Sequence, residues 1–113
     1  MAGNTIQVLY HGYLEMDRDL LIANPNTFLT QSKRESNKVL CQAPSFTYLI
    51  RSPDGKTMLY DATIHKNWEQ EWHPERKDLA NWKHSEEEMI ENTLKQQKLG
   101  PEDIDYVLLS HLH

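Results

Sequence analysis

The sequence predicts an α/β fold in which helices pack against a β-sheet. One observation is an alternating strand pair joined by Pro-Asp-Gly at 53–55. Another is a capped helix that leads through Gly-Pro at 100–101 into the apolar run 107–109. Consecutive apolar residues in a short strand indicate that both of its faces are covered. A helix leading into such a strand is typical of layered α/β folds.

Composition limits the classes of partner. The 113 residues suit a single domain, and 17 acidic against 12 basic residues give a net charge of −5. The basic residues are scattered, which argues against nucleic acid and against an anionic membrane surface as partners. Cys41 is the single cysteine, so an internal disulfide and a cysteine-rich zinc cluster are excluded. The N-terminus lacks the pattern of a secretory signal, and we expect a cytoplasmic protein.

The first third of the chain predicts one extended element and one irregular segment. Residues 6–16 are rich in β-branched, aromatic and large apolar side chains and predict a strand or a strand pair. Residues 17–44 lack a sustained period and contain an Asn-Pro-Asn turn signal, so we expect a mostly irregular connection. Connections of this length inside domains usually serve binding or assembly.

A hairpin is predicted between residues 46 and 62, with Pro-Asp-Gly as its turn. Proline presets φ for the turn, and glycine accepts a left-handed conformation. Alternation along the two strands defines one common face in each: Phe46, Tyr48 and Ile50 in the first, Met58 and Tyr60 in the second.

A single helix is predicted within residues 85–103. Ser85 and Glu88 have the spacing of a capping box, and Gly-Pro at 100–101 ends the helix. Its apolar stripe is narrow, with Met89, Ile90 and Leu94. One side of the helix is therefore expected to pack, and the rest to face solvent.

The sequence ends with two histidines one residue apart, His111 and His113, directly after the apolar strand. Alternate side chains of an extended segment point the same way, so both imidazoles can approach one point. Imidazole nitrogen is a good ligand for zinc and similar ions, but a catalytic zinc takes about three protein ligands. The pair alone is therefore only part of a metal site.

In this context the segment Ser110-His111-Leu112-His113 resembles the first half of the His-x-His-x-Asp-His motif of the metallo-β-lactamase superfamily. The strand ending "LYDAT" resembles the family's Asp-Thr-Gly turn, with Asp61 in the aspartate position. Ala62 and Thr63 depart from that turn. The irregular first segment, the polar insertion after the hairpin and the "SHLH" ending are most similar to N-acyl homoserine lactonase-type hydrolases.

The resemblance implies a fold and a mechanism. We expect residues 1–113 to be the N-terminal part of one αββα metallo-β-lactamase sandwich domain, with the rest of the same polypeptide completing it. His111 and His113 would bind metal, and two divalent ions, zinc above all, would act in the complete protein. A metal-bound hydroxide would open a small-molecule lactone or ester, with no catalytic residue assigned within this chain. Asp61 would hydrogen-bond to a ligand and orient it.

Other residues have less specific interpretations. Trp68 and Trp72, four residues apart, would share a helical face and line an acyl-chain pocket or a homodimer contact, or simply pack. His65 is interpreted as a loop histidine, and His11, His73 and His84 as ordinary surface or turn residues. Another ester, thioester or phosphodiester hydrolase, or a binding and assembly segment without catalysis, remains the alternative function.

Overall fold

The computed structural model describes residues 3–22 and 39–112. Strands β1 (Thr5–Asp17), β2 (Leu40–Arg51), β3 (Thr57–Tyr60), β4 (Ala80–Lys83) and β5 (Tyr106–Leu108) form one sheet in the order β4-β1-β2-β3-β5. The helices are α1 (Trp68–Glu71), α2 (Pro74–Leu79) and α3 (Ile90–Gln96), with short 3-10 turns at Arg18–Leu20, Glu86–Glu88 and Pro101–Asp103. No helix in these two ranges is long and apolar enough to cross a membrane.

The predicted hairpin is confirmed as β2 and β3, which pair antiparallel with Tyr48 opposite Tyr60 and Ile50 opposite Met58. Gly55 takes the positive φ (86°) that the turn requires. Strand β2 begins at Leu40, so residues 40–44 are extended and the predicted irregular connection is wrong there. Long antiparallel pairing with β1 accounts for this extension, because Asp17 lies opposite Leu40. The predicted turn at Asn-Pro-Asn lies outside the described residues.

Strand β1 is a single strand with an irregularity between Tyr10 and Tyr13. Gly12 at this irregularity has a φ of 79°, and a Cβ placed on it would lie 2.2 Å from the Lys83 carbonyl oxygen. Glycine therefore allows β1 to bend while β4 approaches it closely. Strand β1 pairs with β2 along its length, and the close approach at Gly12 lets it pair with β4 over its second half.

The predicted single helix is divided by the tertiary structure. Met89 is extended (φ −64°, ψ 144°) between the turn Glu86–Glu88 and α3. In a continuous helix the Glu88 carbonyl would accept from Asn92, but it contacts His11 Nδ1 at 2.8 Å, and Asn92 donates to Met89 instead. The Glu88 carbonyl oxygen is thus bonded to the buried His11 and not to the Asn92 N–H that a continuous helix would require. One hydrogen bond of the predicted capping box is present at this turn: the Ser85 N–H donates to the Glu88 carboxylate at 3.0 Å.

Helix α3 ends earlier than Gly100. The Leu99 N–H donates to the Leu94 carbonyl, and the Lys98 N–H donates to the Lys95 carbonyl, each at 2.9 Å. This is the pattern of a Schellman motif, in which Lys98 takes the left-handed conformation (φ 59°) that glycine usually supplies. The chain then turns back to the sheet through Pro101–Asp103 and enters β5.

The core lies between one face of the sheet and α3. Leu9, Leu49 and Leu59 project from three adjacent strands and are buried with Leu94 of the helix. Three partly buried side chains complete this layer: Ile90, Leu99 and Ile104. The predicted packing of Ile90 and Leu94 is therefore confirmed.

The common face predicted for the hairpin is the opposite one, and it is open in the described residues. Phe46 is 41% exposed and Tyr48 is 36% exposed, whereas Ile50, Met58 and Tyr60 on the same face are half-buried.

Strand β5 was expected to be covered on both faces. Within the described residues it lies at the edge of the sheet beside β3, and Val107 and Leu108 are 55% and 50% exposed. Covering of these side chains by the remainder of the domain stays a prediction.

Candidate functional site

The candidate site lies where β3 and β5 end side by side. These two strands are parallel, with Tyr60 beside Leu108, so the residues that follow them emerge at the same edge of the sheet. The Asp61 N–H donates to the Leu108 carbonyl at 2.6 Å and extends the ladder by one bond. Asp61 and Ser110 thereby come together although 49 residues separate them in the sequence.

A second aspartate fixes the opposite end of the same strand pair. The Asp105 carboxylate accepts from the Thr57 N–H at 2.8 Å, and the Asp105 N–H donates to the Thr57 carbonyl at 2.9 Å. Lys56 Nζ lies 3.7 Å from the same carboxylate. With both ends held, the short strand β5 presents the residues after it from a defined position.

Asp61 leaves β3 in a left-handed conformation with a φ of 70°. Aspartate tolerates this region better than most residues. Its Oδ1 accepts from the Ala62 N–H at 3.1 Å, and its Oδ2 accepts from the Ser110 hydroxyl at 2.5 Å. Burial raises the pKa of the Asp61 carboxyl, but the hydrogen bonds from Ser110 and Ala62 outweigh it and hold the pKa below the ordinary 3.8.

The histidine side of the site begins at Ser110. Its Oγ lies 2.6 Å from His111 Nδ1, so the hydroxyl is placed between the Asp61 carboxylate and the imidazole. Asp61 and His111 thus share Ser110 as a hydrogen-bonding partner, and the role of Asp61 in orienting a metal ligand stays a prediction. His113 lies outside the described residues, so its convergence with His111 stays a prediction.

The donor set fits part of a metal site. His111 offers a borderline-soft imidazole nitrogen, and its second nitrogen has a hydrogen-bonding partner, which is usual for histidines that bind metal. Within residues 3–22 and 39–112, no group of three or more histidine, cysteine, aspartate or glutamate side chains could hold an ion. The described residues therefore supply one candidate ligand and its hydrogen-bonding support.

The two tryptophans predicted as pocket residues belong to an aromatic cluster. Trp68 is only 6% exposed, and its ring centroid lies 5.4 Å from that of Trp72 and 6.3 Å from that of Trp82. Trp72 is half-buried, with the Arg76 guanidinium 5.7 Å from its ring centroid. Packing therefore accounts for Trp68, and a role in binding an acyl chain stays a prediction for both residues.

His11 is the residue whose position the sequence predicted wrongly. It was interpreted as a surface or turn residue, but it is 0% exposed. Its Nδ1 contacts the Glu88 carbonyl, and its Nε2 contacts Thr47 Oγ1, both at 2.8 Å. Burial lowers the pKa of this imidazole below 6.5, against the opposing influence of Glu88. The bend at Gly12 was the available signal, since a strand irregularity can redirect a side chain.

The remaining histidines have local roles. His65 and His73 are exposed, and each accepts a backbone N–H two residues further on through its Nδ1. His84 stacks on Trp82 with ring centroids 3.7 Å apart. These three residues agree with their interpretation as loop and turn histidines.

Comparisons with known proteins cover almost the whole chain. The family model described as the metallo-beta-lactamase superfamily matches residues 42–113. The N-acyl homoserine lactonase AiiB of Agrobacterium fabrum is 34% identical over 114 residues, which is 98% of this chain and 41% of that protein. The protein of the same name from Rhizobium rhizogenes is 33% identical over the same shares. The chain thus spans about two fifths of the length of these relatives.

Solved structures agree with the fold. An N-acyl homoserine lactone hydrolase, solved with the product N-hexanoyl-L-homoserine bound at its catalytic metal center, has a TM-score of 0.73 and 23% identity, covering 100% of this chain and 42% of that one. A probable metal-dependent hydrolase from Staphylococcus aureus has a TM-score of 0.69 and 24% identity, covering 100% of this chain and 39% of that one. At these identities the likeness shows the fold alone.

Proposed function

Because the chain belongs to the metallo-beta-lactamase superfamily, we propose that the protein is a metal-dependent hydrolase that opens the ring of N-acyl homoserine lactones or similar lactones. The observation that carries the proposal is the Asp61–Ser110–His111 arrangement at the joined ends of β3 and β5. The choice of substrate is supported by the two relatives named N-acyl homoserine lactonase. Such an activity would make it a quorum-quenching enzyme.

The proposed reaction is the hydrolysis of a cyclic ester. Water adds to the carbonyl carbon, the ring C–O bond breaks, and the products are a carboxylate, a hydroxyl group and one proton. His111 and His113 would be metal ligands, and Asp61 would support the position of His111 through Ser110. When bound, two divalent ions, which we propose to be zinc, supply a Lewis acid for the carbonyl and a nucleophile available near neutral pH.

The first experiment tests the metal. We expect the purified protein, expressed in full, to contain about two divalent ions per chain by elemental analysis, in line with a two-metal site. His111→Ala should lose metal, because one imidazole ligand is removed. His73→Ala is the matched control, since that histidine is exposed and caps α2. A metal-free wild type would favour the binding and assembly alternative.

The second experiment tests the substrate. Acid release should be followed with N-acyl homoserine lactones of different acyl lengths, beside thioesters and phosphodiesters. We expect lactones to be turned over fastest. Rapid thioester cleavage with no lactone turnover would assign the same fold and metal chemistry to another hydrolase class.

The tryptophan pair is proposed as part of the acyl-chain pocket. Trp72 is the better probe, because it is half-buried and Trp68 is buried among neighbouring rings. Trp72→Ala should raise KM for long acyl chains more than for short ones, since a flat apolar surface is lost. Equal effects on both substrates would place the ring outside the pocket. We also propose a cytoplasmic location and a homodimer.

A further inference from the structure

We infer that Ser110 is a positioning residue whose hydroxyl links the Asp61 carboxylate to His111 and selects the imidazole tautomer that can bind a divalent metal through Nε2. This inference rests on the proposed function, because it assumes that His111 is a metal ligand.

The direction of the hydrogen bonds follows from the number of protons. An ionised carboxylate only accepts, so the Ser110 O–H must donate to Asp61 Oδ2 across the 2.5 Å contact. A hydroxyl has one proton, and the same oxygen can then only accept from His111 Nδ1 across the 2.6 Å contact. His111 Nδ1 therefore carries a hydrogen, and the lone pair of the neutral ring is on Nε2.

The surrounding backbone explains why Asp61 can hold the serine in this way. The left-handed conformation of Asp61 turns the chain sharply after β3, and both carboxylate oxygens are engaged, one by Ala62 and one by Ser110. The Asp61 N–H is bonded to the Leu108 carbonyl on the neighbouring strand. The carboxylate is thus fixed by the strand ends, and the serine transfers that constraint to the ring.

A direct carboxylate–imidazole pair would also set the tautomer, but the described contacts place the serine hydroxyl between the two groups. Removing the hydroxyl takes away the group that accepts from His111 Nδ1, so the Nδ1–H tautomer loses the stabilisation of that hydrogen bond. Hydrogen-bonding partners of metal-binding histidines typically contribute a factor of about 10–100 to metal affinity. Ser110→Ala should lose an effect of that size.

The protein also provides a matched control. Ser52 likewise donates its hydroxyl to an aspartate, Asp54, in the exposed turn between β2 and β3, far along the strand from Asp61. Ser52→Ala removes a serine–aspartate hydrogen bond without touching the candidate site. Ser110→Thr keeps a hydroxyl at the position of interest and should behave like the wild type.

The decisive measurement is the tautomer of His111 in metal-free protein expressed in full, obtained from long-range ¹H–¹⁵N correlations assigned with His111→Gln. At a pH where the ring is neutral, we expect the Nδ1–H tautomer in the wild type, in Ser52→Ala and in Ser110→Thr. Ser110→Ala should shift the ring toward Nε2–H. A wild type with Nε2–H would overturn the inference even if the alanine variant failed to fold.

Zinc affinity gives the second readout, measured by competition with a chromophoric chelator. Ser110→Ala should raise the zinc Kd about 10–100-fold, while Ser110→Thr and Ser52→Ala should bind as the wild type does. An unchanged tautomer or an unchanged Kd in a folded Ser110→Ala protein would overturn the inference. If His111→Ala also bound zinc normally, the proposed function itself would fail, so the two failures are distinguishable.

Discussion

The two faces of the sheet have similar side chains but opposite environments. On the face toward α3, Leu49 is 1% exposed and Leu59 is 4% exposed. On the other face, Ile6 and Val8 of β1 are 67% and 55% exposed, and Tyr48 of β2 is 36% exposed. The pattern of side chains along the strands therefore places apolar groups on both faces of the sheet. It does not specify which of the two faces α3 covers.

The sheet therefore has the composition of a layer that is covered on both sides. Exposed apolar side chains grouped on one face are typical of a surface that another layer or a partner covers. The expected αββα sandwich would bury it against a second sheet. Four experiments test this difference between the α3 face and the open face.

The largest effect is expected from isolating residues 1–113. Because one sheet face would remain in water, we predict that the isolated segment lacks a cooperative thermal transition and binds a hydrophobic dye. The protein expressed in full should unfold sharply under the same conditions. A steep, reversible transition of the segment, followed by circular dichroism, would contradict this prediction.

Next in size is a cavity on the α3 face. Leu49→Ala should lower the free energy of unfolding by about 2–5 kcal/mol, because it removes a buried side chain from the centre of the core. Leu79→Ala is the matched control, since Leu79 is 60% exposed at the end of α2 and its change should stay within about 0.5 kcal/mol. Urea unfolding of the full-length protein measures both. Equal effects would mean that Leu79 is buried in the full-length protein.

A charge on the open face tests whether that face is covered in the full-length protein. Val8→Lys should destabilise it by about 1–3 kcal/mol, because an ammonium group would enter an apolar layer. Gln7 lies one residue earlier, on the other face of the same strand, and is exposed. Gln7→Lys should therefore leave the free energy of unfolding nearly unchanged. If Val8→Lys proved as mild as its neighbour, the open face would be a solvent-exposed surface.

The smallest effect concerns a polar contact within the covered region. The pKa of His11 in the folded protein is lowered by burial, so below about pH 6.5 the unfolded state binds more protons than the folded state. Stability should therefore fall as the pH drops from about 6.5 toward the folded pKa, by up to about 1.4 kcal/mol per pH unit.

The control for this pH effect is His11→Gln, which should flatten the profile in that range. Chemical unfolding at a series of pH values measures the profile. An identical slope in the wild type and in His11→Gln would assign the pH dependence to other groups.

Local sequence determined the elements whose physics is local. The Pro-Asp-Gly turn fixed the β2–β3 hairpin, since proline and glycine set its dihedral angles wherever the turn is placed. The helix–strand order before "YVLL" likewise predicted a layered fold, and "SHLH" predicted the end of the strand as the site. Asp61 was identified through the same motif resemblance, although its contact with Ser110 was not.

Tertiary structure decided what depends on partners distant in the sequence. His11 is buried because β2 and the Glu86–Glu88 turn each provide a hydrogen-bonding group, and this contact divides the predicted helix at Met89. The position of helix α3 decided which face of the sheet is covered, because the strands carry apolar side chains on both faces. The parallel pairing of β3 and β5 brought Asp61 to Ser110, since strand pairing across 49 residues is a property of the folded chain.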